Sequence, residues 1–434
     1  MKNSKLSIVM ASVLSLSVML AACGGEGGSP TSAGTAGGSN ASGSEPQKTV
    51  TVFQFKTEIV EGLNELKAAF EQDYPNIKLD IQTVGGGADY DAALKAKFAS
   101  GAAPDIFSNN GYASLDMWEE KLEDLSDQPW VNDLVQLAAG AITKENRVYG
   151  LPLDLEGFGY VYNKDLFAKA GIAELPMTYS ALEEAAKKLQ AAGITPFANA
   201  YQEWWLVGSQ GISVAFSNQD NADEFIAGLN DGTASMIGNK HFEDWAKLMQ
   251  LTLDYGNKNP LTTDYNTQVT MFANGEAAMM QEGNWAQTMI DGISPNLNIG
   301  MLPMPLNDDA ARTGKVTIGV PVNLVVNKDS AAKEEAKTFL NWLVTSDIGK
   351  EYIVKKFKFI PAMTTIQATA EDVGPIAADL MNYIEKGDIF PHHAGKYPDG
   401  VAQEFGSAIQ HFLAGQSDVP TWQKNMQAAW DKLK

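Results

Sequence analysis

The sequence predicts an α/β protein built as two lobes, and three observations carry that expectation. At 434 residues the chain is more than twice the length of an ordinary single domain, so two bodies are the simplest division. Hydrophobic residues make up 44% and charged residues 20%, a globular balance with enough apolar surface for a sizeable core. From Thr49 onward, strand-like and helix-like periods alternate, the pattern of parallel strands joined by crossover helices.

The N-terminus precedes that body. Lys2 and Lys5 lead into an apolar stretch from Ser7 to Ala22, too short for a membrane span and right for a signal-peptide core. It ends in Leu20-Ala21-Ala22-Cys23, which resembles the lipobox of bacterial lipoproteins. That resemblance implies cleavage after residue 22 and diacylation of Cys23, with palmitate-type chains anchoring the protein to the outer face of a cell membrane. Cys23 is the one cysteine in the chain. Residues 23–48 are Gly/Ser-rich and poor in aliphatic side chains, a composition that makes a flexible tether.

Val50 to Phe55 is rich in β-formers and reads as a strand. Leu63, Leu66 and Phe70 then repeat at helical spacing until Pro75. Ile77 to Val84 alternates as a second strand, Gly85-Gly86-Gly87 turns, and Asp89 to Ala99 is helical again. Pro104 to Phe107 reads as a third, buried strand. In parallel sheets ligands collect at the carboxyl ends of strands. The loops at Gln54–Glu58, 85–87 and Ser108–Gly111 are therefore the candidate ligand edge.

Charge and inventory exclude several functions. Lys plus Arg number 32 against 53 Asp plus Glu, a formal charge of −21, which repels nucleic acid. Arg147 and Arg312 are the arginines of the chain, so bidentate capture of a strongly anionic ligand is disfavoured. One cysteine and four histidines build neither a disulfide framework nor a Cys/His zinc site. Neither cofactor nor metal is expected. His392-His393 reads as a loop between Pro391 and Gly395, since adjacent histidines on a regular helix cannot face one ion.

An ordered set of motifs runs along the chain: Arg147-Val148-Tyr149-Gly150-Leu151-Pro152, then Tyr160 to Phe167, Met271 to Met280 with Gly283-Asn284-Trp285, Phe339 to Leu343, and Phe359 to Ala362. Together they resemble the extracellular solute-binding proteins of ABC importers, in particular the large carbohydrate-binding group related to maltose- and raffinose-binding lipoproteins. The resemblance covers residues 49–434. It implies a periplasmic-binding-protein-like pair of α/β lobes joined by hinge crossovers and closing on a sugar. On that basis the crossings are expected near residues 155, 302 and 346. Lobe 1 would be 49–154 with 303–345, and lobe 2 would be 155–302 with 346–434. A permease as partner and a monomeric state are further expectations.

The residues themselves suit a sugar. A pyranose offers apolar faces to aromatic rings and hydroxyls to carboxylates and amides. Glu203, Trp204 and Trp205 place a carboxylate beside two indoles, of which one would reach a given pocket if the segment were a strand. By the resemblance, Trp285 stacks on sugar, and Glu203 and Glu156 match ligand-contacting positions. Asn284 adjoins Trp285. Asn109 and Asn110 turn the chain after the third strand by Asx chemistry and face the ligand edge, where Gln54 and Lys56 end the first strand. Trp118, Trp245, Trp342, Trp422 and Trp430 carry helical periodicity and belong to the core. Related proteins often carry an aromatic just before a Tyr-Pro-Asp-Gly like 397–400; here Phe390 is the nearest.

Two other functions compete with sugar capture for an importer. One is a membrane-tethered glycoside hydrolase, which needs two carboxylates at fixed separation. The other is the same fold binding a polyamine between Glu156 and Glu203, where indoles also suit a cation.

Overall fold

Val50, Val52 and Phe53 are buried at alternate and adjacent positions of a single strand, because that strand is covered on both faces. The structure, a computed structural model, describes residues 46–434. The signal peptide, Cys23 and nearly all of the tether lie outside the described residues. No helix among the described residues is long and apolar enough to cross a membrane.

The main strands are, in chain order, β1 (Lys48–Gln54), β2 (Ile77–Thr83), β3 (Ile106–Asn109), β4 (Gly150–Pro152), β5 (Glu156–Asn163) and β6 (Thr195–Ala198). They continue with β7 (Ala277–Gly283), β8 (Ile299–Leu302), β9 (Val316–Gly319), β10 (Asn323–Val326) and β11 (Ile389–Pro391). The first sheet has the order β2-β1-β3-β10-β4. Its β1, β2 and β3 run parallel as the strand–helix alternation predicts, while β10 pairs antiparallel with β3 and β4. The second sheet has the order β11-β9-β5-β7-β6, with β8 also on β5.

Helix α1 (Val60–Asp73) buries Leu66 and Phe70 and stops just before Pro75. A proline disfavours helical backbone in the residue before it. Helix α2 (Tyr90–Ala99) starts where Asp89 accepts from the Ala92 N–H at 2.9 Å, an N-cap that satisfies an orphan donor. Trp245, Trp422 and Trp430 are fully enclosed, and Trp118 and Trp342 are buried as well, as their helical spacing predicts.

The chain passes between the sheets at positions that differ in part from those expected. The first passage runs over Leu153 to Leu155, between β4 and β5. The second is not near 302. After β8 the chain forms β9, which pairs antiparallel with β5 through Thr317 and Phe158, and it returns to the first sheet only over Val320 to Val322. The reason is the length of β5: Phe158 to Glu156 takes β9 and Asn163 to Tyr160 takes β8 along one edge. Residues 303–319 therefore belong with the second sheet. Nor is there a crossing near 346. Ser346 caps a short helix, Asp347–Glu351, by accepting from the Gly349 N–H at 2.9 Å.

The segment after Ser346 stays against the first sheet's side, with Lys356 bonded to Glu65 at 2.9 Å and Leu134 bridged to Met363. The third passage follows Ile360. The three passages lie side by side: Leu153 donates its N–H to the Val322 carbonyl at 3.1 Å, and Leu155 donates to the Ile360 carbonyl at 2.9 Å.

Candidate ligand-binding site

The three loops at the carboxyl ends of β1, β2 and β3 converge on one cavity of about 430 Å³, within the usual size range of small-molecule sites. Phe55 to Glu58, Gly85 to Gly87 and Asn110 form its first wall. The opposite wall comes from the second sheet and its helices: Glu156, Trp204, Trp205, Tyr265 and Trp285. The passage residues Val320 to Val322 and the loop with His392 and Tyr397 complete the lining.

Both indoles of the Trp204-Trp205 pair reach this cavity, unlike the single one expected of a strand. They open a helical segment that continues through a π-type turn, Leu206–Gly211, to Ser217. On a helix successive side chains stand roughly 100° apart rather than opposed. The segment lies tight on the helix Val401–Leu413, because side chains at Gly208 and Gly406 would collide with the facing backbone.

Glu203 is buried and accepts two hydrogen bonds, from Trp205 Nε1 and from the Tyr265 backbone N–H, both at 3.1 Å. It fixes one indole and the start of the helix Tyr265–Ala273 together, and it abuts the first wall: a Cβ at Gly87 would lie 3.0 Å from its Oε2. Trp205 meets Tyr265 and Trp285 edge-on, at centroid distances of 5.7 and 6.3 Å.

Trp285 follows β7 in a single 3₁₀ turn, Asn284–Ala286. Its indole folds back over Gly283, where any Cβ would overlap the ring and the Gly157 carbonyl. It lies parallel to Phe158 at 6.3 Å, and its Nε1 donates to Glu282 at 2.7 Å. Burial pushes the Glu282 carboxyl well above its usual range, the Trp285 bond opposing that only in part. Trp285 is 6% exposed, so it is wall and core at once.

Lys56 is buried, spans the cavity floor and donates to Glu58 at 2.8 Å and to Glu156. Its ammonium also lies 5.1 Å from the Phe359 ring centroid. Burial alone would lower the lysine, but Glu156, Glu58 and Asp154 outweigh it and hold the ammonium above its ordinary value. Beside them Asp154 is fully buried. Burial first, and the Glu156 charge second, raise its carboxyl well above the usual range, and neither of its oxygens has a hydrogen-bond partner.

The remaining candidates stand behind the wall. Gln54 accepts from the Lys56 N–H at 2.5 Å and donates to Thr83 at 2.6 Å, shaping the β1 loop. Asn109 accepts from the Gly111 N–H at 2.8 Å, the Asx turn its sequence predicts, and donates to the Ser114 carbonyl. Asn284 accepts from Gly157 N–H and donates to the Leu155 carbonyl, pinning the first passage to β7. Of the asparagines near β3, Asn110 is the one that lines the cavity. Sequence reasoning missed Tyr265 and His392. Neither carries a local signal, since Tyr265 follows an ordinary Asp264 N-cap and reaches the site only through the fold.

Two α/β bodies thus share three adjacent strand passages, with an aromatic cavity between them. Residues 56–350 match the model of the bacterial extracellular solute-binding protein family, and the chain belongs to that family. It is a binding component rather than an enzyme. The multiple sugar-binding protein of Streptococcus mutans is 26% identical over 318 residues, 71% of this chain and 74% of that protein. The melibiose/raffinose/stachyose-binding protein MelE of Bacillus subtilis is 25% identical over 387 residues, 85% of this chain and 86% of its own. The solved structure of RafE in complex with raffinose shares the fold with a TM-score of 0.76 at 21% identity, covering 89% of this chain and all of RafE.

Proposed function

We propose that this protein captures an oligosaccharide outside the cell and delivers it, enclosed between its lobes, to the permease of an ABC importer. The observation that carries the reading is the cavity's chemistry. Trp204, Trp205, Tyr265 and Trp285 offer ring faces, and Glu156 and Asn110 offer groups for hydroxyls. Lys56 and Lys95, the lysines of the lining, are both ion-paired already, to Glu156 and Asp399. Glu58, Asp89 and Asp91 add further carboxylates to the lining, which disfavours an anionic ligand and supplies acceptors for sugar hydroxyls. The relatives named for sugars and the raffinose complex of RafE support the same class. Gln54, Asn109, Asn284 and Glu203 hold the walls, and the three passages serve as the hinge for lobe closure. Diacylated Cys23 tethers the protein, which works as a monomer.

A thermal-shift panel of raffinose, stachyose, maltotetraose and spermidine tests this. A ligand that binds only the folded state adds about 2.7 kcal/mol at a hundredfold excess over Kd. A rise with one of the oligosaccharides, without release of reducing sugar, is expected. A response to spermidine alone would replace the sugar with a cation, and sugar turnover would make the protein a hydrolase. Cys23→Ser should release the protein from the membrane into the surrounding fluid.

A further inference from the structure

The His392-His393 pair sits at the cavity, yet its two rings do different things. His393 is buried away from it, with Nδ1 3.3 Å from Ser217 Oγ and Nε2 3.5 Å from Asp223. No set of three or more potential metal-ligating side chains gathers among the described residues, so the pair does not form a metal site. His392 instead lines the cavity. Its backbone N–H donates to the Ile318 carbonyl at 2.8 Å, which fixes the loop to β9. Its side chain lies across Gly319, where an added Cβ would stand 2.6 Å from His392 Cβ and 3.4 Å from Nδ1. Only a glycine leaves room for the imidazole there.

The ring held in this way has an unused polar atom. His392 Nε2 is buried without a hydrogen-bond partner, an arrangement that native proteins avoid unless something else completes it. Burial, with a smaller contribution from the His393 charge, pushes the imidazole down to about 4. At neutral pH it is therefore uncharged, with one N–H donor and one lone-pair acceptor. A sugar hydroxyl is likewise both donor and acceptor, whereas a cationic ligand gains nothing from the donor.

We infer that His392 is a specificity residue of the cavity, reading a ligand hydroxyl with a ring nitrogen of its neutral imidazole. This rests on the oligosaccharide reading above. It assigns the loop after β11 a polar contact in place of a stacking one, and Gly319 becomes the residue that makes the contact possible.

Calorimetric titration of the full chain tests it, using whichever of raffinose, stachyose or maltotetraose stabilises the wild type. His392→Ala and His392→Phe should each weaken Kd roughly tenfold, the loss of one hydrogen bond near the top of its usual range. His392→Gln, which keeps a donor and an acceptor, should stay within about threefold, and His393→Ala should bind as the wild type does. Apo melting of each variant checks folding, and Phe and Gln decide the matter should Ala fail to fold. Wild-type affinity in His392→Phe would show that only ring surface matters and overturn the inference, as would unchanged affinity in His392→Ala. A wild type that binds none of the three sugars brings down the sugar reading itself, and this inference with it.

Discussion

Lys56 at the end of β1 donates to Glu156 at the start of β5, joining the two sheets across the cavity floor. Both side chains are buried, and Glu58 shares the ammonium. Such a cluster is weak evidence of net stability, because desolvation offsets much of the attraction, but removing one partner strands the others.

Lys56→Met should therefore cost about 3–5 kcal/mol, the range for breaking a buried pair. It leaves Glu156 and Glu58 facing each other beside Asp154. Adding Glu156→Gln to that variant should recover part of the loss, since one stranded charge is gone. Urea unfolding of the two variants and the wild type measures this. A single variant within about 1 kcal/mol of the wild type would show that the ion pair contributes little to the stability of the fold.

Glu282 and Asp154 give the stability a defined pH slope. Both carboxyls are raised in the folded protein, mainly by burial, so the folded state binds protons that the unfolded state has released. Their contribution is complete below the ordinary values of 4.5 and 3.8. It is lost as pH rises towards the raised folded values. Glu282→Gln cannot release a proton and should flatten the decline. Unfolding free energies between pH 4 and pH 8 test the sign; an unchanged slope in Glu282→Gln would mean that Glu282 ionises at no cost in the fold.

Much of this was legible in the sequence, for physical reasons that also mark where legibility ends. Strand and helix periods predicted β1, α1, β2, α2 and β3 because each is a local pattern of burial. The loops after β1, β2 and β3 converge on one cavity because loops at strand ends are fixed by those same elements. The second and third passages were misplaced because β9 belongs to β5 by long-range pairing, and Ser346 caps a helix where a crossing was expected. The helix at Trp204-Trp205 is not legible because it begins at the pair itself, with no preceding apolar period to announce it. Tyr265 and His392 were missed since only tertiary packing carries them to the cavity.

Gly283 and Gly292 separate crowding from ordinary helix propensity. At Gly283 a methyl group would overlap both the Trp285 ring and the Gly157 carbonyl. Gly283→Ala should cost at least about 2 kcal/mol, as overpacking does, and should weaken sugar binding by displacing the indole. Gly292 lies in the helix Gln287–Ile293 with nothing within 4 Å of an added Cβ. Gly292→Ala should be neutral or stabilise by up to about 1 kcal/mol through better helix propensity. Equal behaviour of the two variants in thermal melts would remove the steric argument for Gly283.

Trp285 and Trp204 test which indoles bind and which also hold the fold. Trp285 stacks beside Phe158, donates to Glu282 and is nearly enclosed. Trp285→Ala should therefore do two things: weaken sugar binding by roughly a hundredfold, as central aromatic anchors do, and lower apo stability by about 3 kcal/mol. Trp204 is half-buried, lines the same cavity and stacks on no other ring among the described residues. Trp204→Ala should weaken binding while moving apo stability by less than about 1 kcal/mol. Trp285→Phe keeps a ring but removes the donor to Glu282, leaving a buried carboxyl without its partner, and should cost about 1–3 kcal/mol of stability with a smaller loss of affinity than alanine. Calorimetric titration beside urea unfolding of the three variants reads both quantities. If Trp285→Ala loses stability yet keeps its affinity, the indole is core alone and the ring faces for the ligand are those of Trp204, Trp205 and Tyr265.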